Sequence, residues 1–282
     1  MTIDQKFRNS AVKAYNEKSE SNCKNFDELQ SVLKKCTDVL CKDQYFGIIR
    51  IEKSIPSFCE WMIPPVYLKS KNEDEREKEK PGLKDERREN QENINKYIDN
   101  NCLKTIVIVL ESPHTDEFFK DDNKWQSIGP ACGTTGENLH KWLPEVLLNY
   151  VPCIVDKNSY KAKYNSSKEI ENGQYAIKLV NAIQYQCSLG KETKYYRDAV
   201  FDEMWQEEDG DEESLKARLE KINPDVIINC CTKGNYTKEE ETIRARVQKV
   251  ISDNSKCFLL RAAHPSSLYF KNGLSLVDKE ED

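Results

Sequence analysis

The chain has 282 residues, of which 38% are hydrophobic and 33% are charged, so it is long enough to bury a core beneath a polar surface. Its apolar runs are only as long as a strand, which excludes a membrane-spanning helix, and its N-terminus lacks the apolar core of a signal peptide, which predicts a cytoplasmic protein. The net charge is −6, but residues 202–213 contribute −8 and the last five residues −3, so the rest carries +5 and leaves room for a basic face toward nucleic acid.

The eleven cysteines raise the question of disulfide bonds or a metal site. Their number is odd and no Cys-x-x-Cys pair occurs, so the spacing fits neither a disulfide framework nor a zinc motif. Cys230 and Cys257 lie inside apolar runs, where a free cysteine behaves as a small hydrophobic residue. We therefore expect structural thiols and no metal site.

The first hundred residues predict a mainly helical N-terminal extension, residues 1–100, that includes a charged linker. Residues 26–41 carry apolar side chains at helical spacing, and a short strand is predicted over 45–52. Residues 69–96 contain nine basic and nine acidic residues, a composition typical of a solvated segment. We expect a linker there up to about Gly82 and a helix after it.

From residue 104 onward, near-continuous apolar runs alternate with helical segments. Four runs predict strands covered on both faces, as in a parallel sheet, and they span 104–110, 175–180, 225–231 and 256–262. Two helices have predicted starts in the capping boxes that open at Thr134 and Thr237, and Pro144 predicts a kink or a second start in the first helix. Residues 101–282 therefore predict an α/β domain, a three-layer sandwich with a central four-stranded parallel sheet.

Polar side chains follow these strands at the carboxyl edge of the sheet, where α/β proteins bind ligands. The first strand runs into Glu111, the second ends on Asn181, and the fourth leads to His264. Each has a structural alternative: Glu111 could cap the next helix, Asn181 could hold a turn, and His264 before a proline could be an ordinary loop residue. Their convergence at one edge favours a functional site.

The residues at these strand ends resemble the motifs of the uracil-DNA glycosylase superfamily over roughly residues 104–270. Leu110-Glu111-Ser112-Pro113-His114 stands where the family has Gly-Gln-Asp-Pro-Tyr or Gly-Glu-Ala-Pro-Gly, and His264-Pro265-Ser266-Ser267-Leu268 stands where it has His-Pro-Ser-Pro-Leu. Between them, residues 129–136 (GPACGTTG) resemble its glycine-containing loop, and Asn181 resembles its strand-ending asparagine. The four motifs occur in the family's order.

The resemblance implies a DNA glycosylase and a role for each matching residue. Cleavage of an N-glycosidic bond builds positive charge on the sugar and negative charge on the departing base. Glu111 would activate the attacking water and stabilise the sugar cation, and His264 would donate a hydrogen bond to the departing base. Asn181 would bind the polar edge of a flipped-out base. The residues implied to hold the flanking phosphates are Gly133, Thr134, Thr135, Gly136, Ser266 and Ser267. Leu268 would act as a wedge in the DNA, with simple packing as its alternative role.

Two departures from the family pattern indicate a base other than plain uracil. Ala131 stands where one branch of the family stacks an aromatic side chain on uracil, a contact worth about 1–3 kcal/mol per base. His114 stands where the family has tyrosine or glycine beside the C5 position of the pyrimidine. With Ser112, these residues are expected to shape the base pocket. The substrate implied is a modified or damaged base, such as the glucosylated hydroxymethylcytosine of phage DNA, excised in phage defence.

The implied partner is DNA, and we expect a monomer with no cofactor and no membrane contact. We also expect no iron–sulfur cluster, because the cluster cysteines of thermostable family members are not recognisable. Three alternatives remain open. The first is a uracil-DNA glycosylase in base-excision repair, the second a catalytically silent DNA-binding module on the same fold, and the third a hydrolase of free nucleosides or nucleotides. Base release from DNA, salt-dependent binding without an abasic product, and activity on free nucleosides distinguish them.

Overall fold

The computed structural model describes residues 39–52, 57–70, 72–101, 103–148, 170–187, 214–252 and 257–276, with a few positions before and between them (9, 12–13, 16–17, 197–198, 201–202 and 204–205). The helix predicted over 26–41 lies outside the described residues except for its last three, and the acidic run 202–213 lies mostly outside them. Among the described residues, no helix is both long enough and apolar enough to cross a membrane.

A seven-stranded mixed sheet forms the centre of the fold. In spatial order its strands are β2 (Phe58–Ile63), β1 (Gln44–Glu52), β6 (Gly173–Asn181), β3 (Lys104–Leu110), β7 (Val226–Asn229), β8 (Phe258–Arg261) and β9 (Ser275–Leu276). The remaining strands, β4 (Phe118–Asp121) and β5 (Lys124–Ser127), form a separate antiparallel hairpin.

The four strands predicted from the apolar runs are neighbours in the order β6-β3-β7-β8, and their pairings are all parallel. Their side chains are buried on both faces of the sheet, which is why each strand is a continuous apolar run. A mixed α/β fold with a largely parallel central sheet is therefore confirmed. The sheet as a whole is larger than the predicted four strands, because β1, β2 and β9 extend its edges with antiparallel pairings.

The charged segment after β2 forms one long helix, α1 (Glu73–Asn100), so the linker predicted up to Gly82 is wrong. Asn72 caps this helix, because its side-chain oxygen accepts two backbone N–H groups of the first turn at 2.9 and 3.4 Å. The buried stripe of α1 consists of Lys80, Leu83, Arg87 and Ile94. Arg87 donates to the carbonyl of Pro130 at 2.8 Å, so α1 supports the loop that precedes the next helix.

The first hundred residues also contribute strands. β1 pairs antiparallel with β6 from Gln44 to Ile51, and β2 pairs with β1. This part of the chain therefore contains two strands of the main sheet besides α1. The domain boundary predicted at residue 100 stays a prediction.

Helices pack on both faces of the sheet. α2 (Thr134–Leu148) buries Leu139, Leu143, Val146 and Leu147 against one face, together with Ile106 and Ile108 of β3. On the other face, α3 (Leu215–Ile222) and α4 (Ile243–Ser252) pack against Val107 and Val109 of the same strand. Alternate residues of β3 thus enter two separate cores.

Both predicted capping boxes are misplaced, although both helices exist. α2 already includes Thr134, and a first-turn N–H group bonds to the carbonyl of Gly133. α4 is capped by Thr242 rather than Thr237, because the Thr242 hydroxyl accepts a backbone N–H group at 3.1 Å. α2 continues through Pro144 without a second start.

Candidate functional site

A cavity of about 450 Å³ lies at the carboxyl edge of the parallel strands. β3 comes first among these strands in the chain and lies between β6 and β7. The chain passes from β3 to β6 on one side and then returns to β7 on the other side, so the strand order reverses at β3. Such a switch point creates a crevice in which α/β proteins bind ligands. The cavity is lined by Glu111, Ser112, Pro113, His114, Asp116, Glu117, Gly133, Thr134, Thr135, Arg197, Thr232, His264 and Ser266.

Glu111, the residue after β3, has both carboxylate oxygens hydrogen-bonded. Oε1 accepts a hydrogen bond from Arg197 Nη1 at 2.9 Å. Oε2 accepts hydrogen bonds from the hydroxyl and the backbone N–H of Thr232 at 2.5 and 3.2 Å. Because the side chain is only 10% exposed and three donors converge on it, the carboxylate is held in one orientation at the cavity wall. The contact with Thr232 bridges the ends of β3 and β7 across the switch point.

Arg197 reaches Glu111 from a segment that is anchored to the loop after β7. Its guanidinium also pairs with Asp198 at 2.9 Å, and the other oxygen of Asp198 accepts the backbone N–H of Asn235 at 2.6 Å. Burial by itself would lower the pKa of Arg197, but the carboxylates of Glu111 and Asp198 outweigh it and raise that pKa. The cavity therefore contains a permanent positive charge beside Glu111.

His264, which follows β8, is held by Ser266. The backbone N–H of Ser266 donates to Nδ1 of His264 at 3.2 Å, and the Ser266 hydroxyl lies 2.8 Å from the same nitrogen. Burial lowers the pKa of His264, and the positive charge of Arg197 acts in the same direction against the pull of Glu111. A neutral ring that accepts at Nδ1 carries its proton on Nε2, so His264 offers one N–H donor.

Glu117 is a buried carboxyl group that joins two loops of the site. Its Oε2 accepts the backbone N–H of His114 at 3.1 Å, and its Oε1 accepts that of Ala131 at 2.7 Å. Burial raises the pKa of Glu117 to about 7, although these hydrogen bonds and the charge of His114 act against it. One side chain thus ties together the two loops that carry His114 and Ala131.

The start of α2 holds a carboxylate where a phosphate was expected. Gly133, Thr134 and Thr135 line the cavity there, as predicted for phosphate contacts. However, a Cβ on Gly133 would stand 2.2 Å from Oδ2 of Asp116, and that carboxylate pairs with Arg76 of α1 at 3.0 Å. A phosphate at this helix terminus would therefore meet the negative charge of Asp116.

Five predicted site residues do not line the cavity: Ala131, Gly136, Asn181, Ser267 and Leu268. Ala131 is fully buried, so its assignment as a base-contacting residue is not supported by its position. A Cβ on Gly136 would stand 2.1 Å from the carbonyl oxygen of Ala131. Gly136 therefore allows α2 to approach this loop closely, and a phosphate contact is not supported for it either.

The other three lie close to the cavity in the fold. Asn181 pairs with Leu110, the residue before Glu111, and is 1% exposed; neither atom of its side-chain amide has a hydrogen-bond partner in the part of the chain that the structure describes. Ser267 caps a 3₁₀ turn at Leu268–Asn272. Leu268 is 82% exposed, so the alternative of simple packing is wrong for this residue.

Thr232 and Arg197 contact Glu111, yet the sequence assigned neither of them a role. Thr232 follows the third parallel strand closely, so the strand-end rule points to it. Arg197 lies in a segment without a recognisable motif, and only the tertiary structure brings it to the cavity.

Comparison with known protein families, with curated proteins and with solved structures finds no match for this chain. Within the described segments, no three His, Cys, Asp or Glu side chains are grouped so that they could hold a metal ion. The expectation that the protein uses no cofactor stays a prediction.

Proposed function

We propose that this protein is a DNA glycosylase of the uracil-DNA glycosylase type, which hydrolyses the N-glycosidic bond of a flipped-out modified base and leaves an abasic site. The observation that carries the proposal is that Glu111 and His264 line one cavity at the switch point of the parallel sheet. The motif resemblance assigns the chemistry to these same two residues, which come from strands far apart in the chain. A DNA partner, a monomeric state and a cytoplasmic location belong to the same proposal.

In the proposed reaction, water attacks the anomeric carbon while the bond to the base breaks and its electron pair leaves with the base. The Glu111 carboxylate accepts the proton of the water and stabilises the positive charge on the sugar. His264 donates the Nε2 hydrogen bond to the base as negative charge develops there. Its lowered pKa keeps the ring neutral at pH 7, so it acts as a hydrogen-bond donor without adding charge.

The lining of the cavity supports a modified base as the substrate. Of the described residues that line it, none is Phe, Tyr or Trp, and most are charged or carry hydroxyl groups. A plain pyrimidine gains its affinity largely from stacking on an aromatic face, whereas a sugar-substituted base presents hydroxyl groups that polar side chains can bind. Within the described residues, neither atom of the buried Asn181 amide has a hydrogen-bond partner, and such an unsatisfied group costs about 1–3 kcal/mol.

One observation favours a second candidate, a catalytically silent DNA-binding module. The ion pair between Arg197 and Glu111 partly neutralises the carboxylate that would stabilise the sugar cation. A site that only binds DNA would tolerate this neutralisation. An enzyme instead requires that the remaining charge and the orientation of Glu111 are enough to stabilise the sugar cation.

Base release separates these functions. Purified protein is incubated with oligonucleotides of one sequence that carry glucosylated hydroxymethylcytosine, uracil or unmodified cytosine, and abasic sites are detected by alkaline cleavage. We expect release of the glucosylated base and a rate at least about 100-fold lower for Glu111→Gln. Glu145→Gln, a change at an exposed position of α2, serves as the matched control and should retain the wild-type rate.

Each other outcome identifies an alternative. Preferred release of uracil indicates a repair enzyme, and full activity of Glu111→Gln refutes the role of that carboxylate. Salt-dependent DNA binding without any abasic product identifies the silent module. Hydrolysis of free nucleosides without DNA affinity identifies a small-molecule hydrolase.

A further inference from the structure

A second group of polar side chains lines the cavity besides those that contact Glu111. It consists of His114, Asp116, Thr134 and Thr135. The cavity volume of about 450 Å³ lies within the range of pockets that enclose drug-sized ligands, roughly 300–1,000 Å³. A pyrimidine alone is smaller than such ligands, so the cavity has room for a substituent on the base.

Asp116 is fixed at the cavity wall by α1. Arg76 donates to Oδ2 of Asp116 at 3.0 Å, and the same arginine donates through Nε to the carbonyl of Ser70 at 2.5 Å. One turn further along α1, Lys80 donates to the carbonyl of Thr115 at 3.5 Å. The side chain of Asp116 is only 16% exposed. A helix that lies outside the motif resemblance therefore orients a carboxylate in the proposed base pocket.

Asp116 keeps one carboxylate oxygen available for a ligand. Within the described segments, Arg76 is the hydrogen-bond donor to this carboxylate, and it bonds to Oδ2 rather than Oδ1. Burial by itself would raise the pKa of Asp116, but His114 and Arg76 outweigh it and lower that pKa. The group is therefore ionised at pH 7, and an ionised carboxylate only accepts hydrogen bonds.

His114 supplies a donor beside this acceptor. Its Nδ1 accepts the backbone N–H of Asp116 at 3.4 Å, so a neutral ring carries its proton on Nε2. The hydroxyl groups of Thr134 and Thr135 can both donate and accept. Hydroxyl groups of a ligand do the same, so they match this set of side chains. An anionic group, which only accepts, would instead meet the negative charge of Asp116.

We propose that His114 and Asp116 form a subsite for a neutral substituent of the excised base that carries several hydroxyl groups, and that Asp116 selects it over an anionic substituent. The inference rests on the proposed function and adds to it the residues that recognise the substituent. A hydroxyl group that donates to Oδ1 of Asp116 makes a charge-assisted hydrogen bond, about twice as strong as one between neutral groups.

Binding to DNA with differently substituted cytosines tests this subsite. The Glu111→Gln protein, in which turnover is blocked, is titrated with duplexes of one sequence that carry glucosylated hydroxymethylcytosine, hydroxymethylcytosine or 5-carboxylcytosine. We expect the glucosylated duplex to bind most tightly. Adding Asp116→Asn should lower the ratio of its affinity to that of the hydroxymethyl duplex by about tenfold, and should favour the carboxyl duplex relative to both others.

Two further variants separate recognition from charge and folding. Asp122→Asn makes the same change of charge in the exposed turn between β4 and β5 and should leave the affinity ratios unchanged. Arg76→Gln breaks the ion pair with Asp116 but keeps the carboxylate, so it should retain most of the preference for the glucosylated duplex. If Arg76→Gln loses as much of this preference as Asp116→Asn, the effect belongs to the fold and the inference is overturned.

The remaining outcomes distinguish this inference from the proposed function. Equal weakening of all three duplexes by Asp116→Asn, unchanged affinity ratios, or tightest binding of the carboxyl duplex overturns the subsite, even where the wild type releases the glucosylated base. An affinity ratio that depends on Asp116, together with no base release by the wild type from any duplex, supports the subsite and overturns the proposed reaction.

Discussion

Replacing Thr232 with valine keeps the shape of the side chain but removes the hydroxyl group that donates to Glu111 Oε2 at 2.5 Å. Glu111 then keeps the backbone N–H of Thr232 at 3.2 Å and Arg197 at 2.9 Å, so its carboxylate loses one of three hydrogen bonds. A hydrogen bond to a charged group is worth about 1.5–3 kcal/mol, and the lower end applies because Thr232 is only half-buried. If this bond orients Glu111 in the transition state, base release slows by about tenfold.

Single-turnover base release measures this loss, and urea unfolding shows whether the variant is folded. Thr232→Ser keeps the hydroxyl group and should stay close to the wild-type rate. In a Glu111→Gln background, Thr232→Val should add little, because the two residues act as one unit. A valine variant as fast as wild type, or a serine variant as slow as the valine variant, would refute the positioning role of Thr232.

Two further predictions concern stability. Folding raises the pKa of Glu117 from 4.5 to about 7. Between these two values the native carboxyl keeps a proton that the unfolded chain has released. The free energy of unfolding therefore falls by up to about 3 kcal/mol as the pH rises through this window. Glu117→Gln should remove this part of the pH dependence in urea unfolding between pH 4.5 and 8, and an unchanged slope would contradict the assignment. Gly136→Ala should destabilise the protein by about 1–3 kcal/mol, because the new Cβ clashes with the carbonyl oxygen of Ala131. Gly82→Ala in α1 should instead stabilise it by about 0.5–1 kcal/mol, because a Cβ there meets nothing within 4 Å. Equal thermal-unfolding midpoints for these two variants would show that the clash relaxes without cost.

The parallel strands could be predicted because burial on both faces of the sheet requires mostly apolar residues in each strand. Each lies between two layers of helices, so most of its positions are apolar, and the run can be recognised without knowledge of the neighbouring strand. The first part of α1 could not be predicted as a helix. Its buried stripe includes the charged residues Lys80 and Arg87, so the sequence shows no apolar helical pattern there. These side chains bury their stems and place their charged groups on carbonyls of Thr115 and Pro130, which are distant in the sequence.

The same distinction holds for the site. The sequence by itself determined that Glu111 and His264 follow parallel strands and so reach one edge of the sheet, because the direction of such strands is shared. Only the tertiary structure decided that β7 lies beside β3, which brings Thr232 to Glu111, and that Arg197 completes the carboxylate's contacts. It also placed a carboxylate, Asp116, where the motif implied a phosphate. Strand order and loop packing depend on contacts between residues far apart in the chain, and no local pattern of residues encodes those contacts.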